Sequence, residues 1–298
     1  MIESVVDLPK LIQEFGSEDR CREYLEGLRW PEGVRCSRCQ SPKVAKIADR
    51  GQYHCHACDY HFSVTAGTIF HDSHLPLWKW LLASFMVVEA KKGVSANQMK
   101  RMLGISYKTA WYLCHRIRAA MKDAHPLPLG GIVEVDETFI GGKRHGVGRG
   151  NWKVGKTVVV GAVKRGGSVR LRIVPAAKQR WLTEFVKDVT DPSAMVYTDD
   201  NRAYKELPMR GRAHDSVNHS AHEYVRADVH TNTVEGVWSL FKRSIVGSYH
   251  QLSVKHMPAY LDEMAFRFNN RRNPFLFRDT VLKLLKAKAV SYAKLTAS

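Results

Sequence analysis

The spacing of apolar positions changes character several times along the 298 residues, and each change marks an element or domain boundary. Residues 1–30 read as a short helical lead. From Cys36 to Thr68, turn residues and cysteines replace apolar periodicity, as in a small domain that cannot build much of a core. Helical spacing returns through Trp78 to Val88 and again through Met99 to Ile117. Within that stretch Gly93 to Tyr112 has the layout of a helix-turn-helix: Ser95 caps a first helix, Gly104 supplies the turn, and Ser106 caps a second helix running to about Met121. The segment His125 to Gly131, with two prolines and two glycines, ends the helical region and sets a domain boundary.

Beyond it the period becomes two, or the apolar run becomes continuous. Ile132 to Ile140, Lys156 to Lys164 and Ser168 to Val174 predict three strands in a meander, the last two joined by a tight turn at Arg165-Gly166-Gly167. A helix from about Lys178 to Val189 follows, then a buried strand at Ala194 to Thr198, a short helix near Arg202 to Leu207 and a weaker strand near Ser216. Three helices close the chain, at about Asn232 to Val246, His256 to Asn270 and Phe275 to Lys288. This order of strands and helices is that of an RNase H-like fold, which by itself proves no function.

Charge narrows the choice of partner. A formal net charge of +17 points to a polyanion, nucleic acid first, because neither end carries the basic amphipathic helix or lipidation signal of a membrane-surface protein. The N-terminus lacks a secretory signal and no apolar run spans a bilayer, so the expectation is a soluble, cytoplasmic protein with no membrane partner.

Six cysteines in a reducing compartment suggest metal ligation. Cys36-Ser-Arg-Cys39 and Cys55-His-Ala-Cys58 are two CxxC pairs with 15 residues between them, the spacing of a structural zinc site. Four thiolates close the tetrahedron and leave no open position, so the zinc is structural and His54, His56 and His61 are surface or DNA-facing. Cys21 and Cys114 read as small buried hydrophobes. The expected fold class is multi-domain α+β / α/β: a helical lead (1–30), a zinc ribbon (31–70), a helix-turn-helix-like DNA-binding segment (75–125) and an RNase H-like catalytic domain (131–288).

Three acids stand out by where they fall. Asp136 interrupts the apolar alternation of the first catalytic-domain strand, Asp199 follows the buried strand at its carboxyl end, and Glu235 lies in the first turn of a later helix. If the first and fourth strands are neighbours, both aspartates open onto one end of the sheet and the helix brings Glu235 over them. Clustered carboxylates repel unless cations compensate, and oxygen ligands suit two Mg²⁺ or Mn²⁺ ions that serve phosphodiester chemistry. Asn232, three residues before Glu235 on the same helix face, competes for the third position. Asp200 competes with Asp199 but could instead cap the following helix. Candidate DNA contacts are Tyr107, Lys108 and Thr109 at the start of the recognition helix, Arg116 and Arg118 on its later basic face, and Lys143, Arg144 and Arg149 in a glycine-rich loop. Arg35, Arg38, Lys43 and Lys46 around the ribbon, and Arg267, Asn269, Asn270, Arg271 and Arg272 near a helix end, could add to them.

The run Val135-Asp-Glu-Thr-Phe-Ile-Gly-Gly-Lys143 and the later His230-Thr-Asn-Thr-Val-Glu-Gly-Val-Trp-Ser-Leu-Phe-Lys242 resemble those of bacterial insertion-sequence transposases of the DDE type that carry an N-terminal zinc ribbon. The resemblance covers roughly residues 20–285. The 35 residues between Asp199 and Glu235 are a separation frequent in such enzymes, and Lys242 follows Glu235 by seven positions as a lysine does there. The resemblance implies metal ligation by Asp136, Asp199 and Glu235, Lys242 near a DNA phosphate with Arg243 beside it, binding of double-stranded DNA at element ends and target, cleavage and strand transfer, and a homodimer or higher homo-oligomer. A nuclease or resolvase that cuts without joining, and a catalytically silent transposase-derived DNA-binding protein, are the alternatives.

Overall fold

The computed structural model describes residues 7–47, 50–142, 155–217, 225–226 and 228–297. The chain forms two compact units, Met1–Lys122 together with Asn270–Ser298, and Asp123–Asn269.

The first unit begins with α1 (Leu8–Glu14) and α2 (Glu18–Arg29), whose caps are Asp7 and Ser17. The zinc-ribbon segment is a three-stranded antiparallel sheet, β1 (Val44–Ile47), β2 (Gln52–Cys55) and β3 (Tyr60–Phe62). Trp30, Tyr53 and Phe62 pack around its cysteines. Then come α3 (Leu77–Glu89), α4 (Ala96–Leu103) and α5 (Tyr107–Met121). The helix-turn-helix forms as its sequence dictates. Ser95 Oγ accepts the N–H of Gln98 at 3.1 Å, and Ser106 Oγ accepts that of Thr109 at 3.1 Å. Between them Gly104 ends α4 at φ 60°, a left-handed conformation that a side chain would resist. Pro76 gives α3 no side-chain cap; Glu18 of α2 supplies one, both carboxylate oxygens accepting the N–H of Leu77 at 3.0 and 2.9 Å.

One boundary differs from the expected one. The last long helix, α9 (Leu276–Lys286), belongs to this first unit and not to a catalytic domain running to 288. Its Phe277 is buried against Phe15, Tyr24 and Phe85, and Leu284 O accepts the N–H of Ile69 at 3.3 Å. Phe15, Tyr24 and Phe85 thus bury a helix that periodicity alone cannot assign to either unit. A short α10 (Tyr292–Thr296), capped by Ser291, was not expected.

The second unit is an RNase H-like domain. Its sheet contains β4 (Ile132–Ile140), β5 (Thr157–Lys164), β6 (Val169–Val174), β7 (Met195–Asp199) and β8 (Ala213–Val217) in the order β6-β5-β4-β7-β8. The first three strands form the antiparallel meander, while β7 joins β4 in parallel and β8 joins β7 in parallel. The alternation along β4 sorts its side chains. Val133 and Val135 face α6 (Gln179–Val189), in a core with Leu182, Phe185 and Val186. Ile140 faces the opposite layer, formed by α7 (Asn232–Ser244) and α8 (Met257–Asn269) with Trp238, Phe241 and Leu261. Asp136, four residues before Ile140, shares that second face. No described helix is long and apolar enough to cross a membrane.

Candidate active site and zinc ribbon

Two sites emerge. In the ribbon the four sulfurs of Cys36, Cys39, Cys55 and Cys58 lie within 4.8 Å of one another, and the pairs Cys36–Cys58 and Cys39–Cys55 are each 3.6 Å apart. Tetrahedral thiolates at about 2.3 Å from a zinc ion stand roughly 3.8 Å apart, so the donor set fits that metal in number and chemistry and needs at most a small contraction to close on it. The N–H of Arg38 donates to Cys36 Sγ at 3.4 Å, the turn that aims the first pair inward. His54, His56 and His61 gather on the outer sheet face with ring centroids 4.8–4.9 Å apart, and His54 Nε2 lies 2.7 Å from Asp59 Oδ1. They do not join the thiolate set. Cys21 and Cys114 are fully buried away from it.

The second site is assembled from distant parts of the chain. The parallel register pairs Ile132 with Met195 and Glu134 with Tyr197. Continued by two residues, it sets Asp136 opposite Asp199, with both side chains on the α7 face. Burial, reinforced by the neighbouring Glu137 and Asp199 carboxylates, pushes the Asp136 carboxyl up to about 7. The indole Nε1 of Trp238 donates to Asp136 Oδ2 at 2.9 Å. Trp238 can approach because β5 carries Gly161 opposite Asp136; a Cβ there would stand 2.7 Å from the ring. Asp199 Oδ1 accepts the N–H of Asn201 at 3.2 Å.

Helix α7 is fixed over these aspartates at two points. One is Trp238. The other is Glu134, two residues before Asp136 on the same face and completely buried. Its Oε2 accepts the N–H of Thr233 at 2.7 Å and of Val234 at 3.1 Å, while Oε1 accepts from Thr233 Oγ1 at 2.9 Å and from Arg165 Nε at 2.7 Å. A strand carboxylate thus caps the helix that the Thr231 side chain leaves uncapped. Glu235 falls between the two anchors on the exposed side of α7, its Oε1 accepting from Thr231 Oγ1 at 3.2 Å. Asn232 is exposed one turn earlier, and Lys242 and Arg243 are exposed in the last turn. Among the described residues the ribbon cysteines are the one group of three or more such side chains placed to hold a metal ion; Asp136, Asp199 and Glu235 do not converge as a ready-made set.

Glu137 points to the opposite face and holds the loop after β7. Its oxygens accept from Asn201 Nδ2 at 2.7 Å and from the buried Tyr204 hydroxyl at 2.8 Å. Asn201, not Asp200, caps the 3₁₀ turn Arg202–Tyr204, accepting the N–H of Ala203 at 3.0 Å, and Asp200 is exposed. Glu134, Glu137, Gly161, Asn201, Tyr204 and Trp238 were missed by reading the sequence for ligands. The available signal was Glu134 itself, an acid in a strand position that otherwise demands burial.

The proposed DNA contacts separate. Tyr107, Lys108 and Thr109 are exposed on the first turn of α5. Arg116 and Arg118 do not form a basic face; both are buried. The Arg116 guanidinium is drawn inward by the carbonyl oxygens of Ile69 and His71 and by the rings of Trp80 and Tyr112. Arg267 is likewise buried in an ion pair with Glu263 at 3.1 Å, and Asn269 is occupied by both backbone groups of Val169. Arg271 and Arg272 are exposed. Lys143, Arg144 and Arg149 lie outside the described residues.

Known protein families match both regions of the chain. Residues 128–269 match the family described as the ISXO2-like transposase domain, and residues 16–61 match the transposase zinc-ribbon domain. An uncharacterized protein in transposable element ISH50 of Halobacterium salinarum is 30% identical over 283 residues, covering 88% of this chain and 95% of that one. An uncharacterized transposase-like protein of Haemophilus influenzae is 29% identical over 98 residues, covering 33% of this chain and 78% of its own. A pre-cleavage Mos1 transpososome structure aligns with TM-score 0.29 and 11% identity over 69% of this chain and 75% of that one, too distant a likeness to carry weight. With the ribbon at one end, the paired aspartates in the second unit and a relative matched over nearly its whole length, the chain belongs to the insertion-sequence transposases with an N-terminal zinc ribbon and an ISXO2-like transposase domain.

Proposed function

We propose that the protein binds the ends of its mobile element, cleaves phosphodiester bonds there and joins the freed 3′ ends to target DNA. What carries this reading is the parallel pairing of β4 with β7, which brings the Asp199 charge to bear on Asp136, with Asp136 raised to about 7 by burial and like charge. Such a pair is costly unless divalent cations neutralise it, and oxygen donors suit Mg²⁺ or Mn²⁺. Asp136, Asp199 and Glu235 would hold these ions, with Asn232 the competing third donor. Bound there, the ions supply Lewis-acid stabilisation of the attacking and leaving oxygens. The protein's own contribution is positional. Glu134 and Trp238 fix α7 over the aspartates, Glu137 and Asn201 hold Asp199, and Lys242 and Arg243 present charge to a DNA phosphate. Tyr107, Lys108 and Thr109, on a helix N-terminus, suit contact with base edges or phosphates. Lys143, Arg144 and Arg149 would add backbone contacts. Joining two element ends calls for two or more protomers on double-stranded DNA. Domain limits of 31–70 for the ribbon and 75–125 for the helical DNA-binding segment follow this division of labour.

The test uses end-labelled element DNA with Mg²⁺ or Mn²⁺. Wild-type protein yields cleaved ends and strand-transfer products, while Asp136→Ala binds the same DNA and yields neither. Undiminished cleavage by that variant refutes the assignment, and cleavage without joining by the wild type reduces it to a nuclease.

A further inference from the structure

The burial of Arg116 leaves a feature that the transposase reading does not use. Beside the first turn of α5 is a cavity of about 540 Å³, within the roughly 300–1,000 Å³ typical of small-ligand sites. Trp80, Tyr112 and Tyr292 line it together with Lys108, Ser106 and Arg116. Arg116 is only 2% exposed. Its Nη2 donates to Ile69 O and, at 2.6 Å, to His71 O, but its Nε has no hydrogen-bond partner. No carboxylate among the described residues forms an ion pair with it. Asp72, the acid on the cavity wall, has its carboxylate 3.5 Å from His71 Nε2. A buried cation with an unsatisfied donor, whose nearest counter-charge is the solvent-exposed Asp72 carboxylate, is unfavourable, and an anion entering the cavity would relieve it.

The rest of the lining describes the other half of the ligand. The Arg116 guanidinium stands 5.0 Å from the Trp80 ring centroid and 5.2 Å from that of Tyr112. Tyr112 and Tyr292 meet edge to face at 5.6 Å, and the Lys108 ammonium lies 4.6 Å from the Tyr292 ring. Aromatic walls accept a flat π-system, while Arg116, Lys108 and the first N–H groups of α5 accept a phosphate. We propose that this cavity seats one unstacked nucleotide, its base against Tyr112 and Tyr292 and its phosphate toward Arg116 and Lys108. The site extends the DNA-binding reading of the helix-turn-helix and rests on it where the nucleotide comes from bound DNA; the same chemistry would accept a free mononucleotide.

The experiment uses the full-length, zinc-loaded protein and two labelled duplexes of one sequence, one fully paired and one carrying a single bulged deoxyadenosine. Anisotropy gives both affinities, and tryptophan fluorescence follows titration with dAMP, with inorganic phosphate as the second probe. The bulged duplex is expected to bind about tenfold tighter, the scale of one base–aromatic stack. Leu75 also lines the cavity; Tyr292→Ala and the cavity-filling Leu75→Trp, each checked for folding by circular dichroism, should abolish that preference, and neither depends on replacing the buried Arg116. A tighter bulged duplex whose advantage both variants remove supports the extrahelical source. Saturable dAMP binding that Leu75→Trp removes, with no response to phosphate alone and no bulge preference, supports the free nucleotide. Equal binding of the two duplexes with no dAMP response overturns the site and leaves the helix-turn-helix reading standing. If neither duplex binds, the DNA-binding reading fails, and dAMP alone decides the cavity. A preference unchanged in both variants also overturns it.

Discussion

The zinc ribbon and the proposed catalytic site are built in opposite ways. In the ribbon, four donors from two local CxxC turns already converge within 4.8 Å of one another, and the buried hydrophobes around them are little more than Tyr53, Phe62 and Ala66. In the RNase H-like unit, Asp136 and Asp199 come from strands far apart in the chain, within a domain whose two valine-rich cores fold around them. A ribbon with so small a core should need an ion to fold, whereas the second unit tolerates two neighbouring acids whose proximity costs stability. Removing a donor should therefore destabilise the first region and relieve the second.

The largest effect is expected in the ribbon. Structural zinc in small domains contributes on the order of 10 kcal/mol. Cys36→Ser, or chelation, should unfold residues 31–66 while the second unit keeps its melting temperature. Hydrogen exchange resolves the two, and protected ribbon amides after chelation would break the contrast. Next comes Asp136→Asn. Loss of several kcal/mol of charge stabilisation in the transition state lowers cleavage by on the order of 10³-fold or more. Its metal-free second unit should nevertheless melt higher than wild type above pH 7. Glu134→Ala leaves Arg165 and the first N–H groups of α7 without their acceptor, at a cost of about 3 kcal/mol, and should loosen α7 in hydrogen exchange. Gly161→Ala drives a methyl into the Trp238 ring and should cost about 1–3 kcal/mol, with a change in tryptophan emission.

The pH dependence is smaller, and its sign follows from Asp136. Its carboxyl is raised from 3.8 to about 7 in the folded protein, so the metal-free fold binds the extra proton. The associated stability is fully present below about pH 4 and is lost as pH rises through about 7, by up to about 4 kcal/mol. Divalent metal reverses the trend, because it competes with that proton. Apparent Mn²⁺ affinity should fall about tenfold per unit below pH 7, and a flat profile would contradict the raised carboxyl.

Much of this was legible in the chain because it is local. The CxxC spacing, the caps Ser95 and Ser106, the turn at Gly104 and the acid at Asp136 each declare themselves within a few residues. What was not legible depends on contacts between distant segments. Arg116 sits at a helix position that reads as solvated until Ile69 and His71 present their carbonyls to it. Glu134 resembles a second ligand until the register shows it capping α7, and α9 declares its unit only through Phe277. Asp200 lost its capping role because Asn201 reaches the N–H of Ala203 and leaves Asp199 facing the site.

Joint retention of catalytic cations by Asp136 and Asp199 is tested most directly by calorimetric titration of Mn²⁺ at pH 8. Wild-type protein should take up Mn²⁺ with a heat that Asp136→Asn and Asp199→Asn each abolish, and whichever of Glu235→Gln and Asn232→Ala weakens it more identifies the third ligand. Uptake unchanged in both aspartate variants would contradict the account.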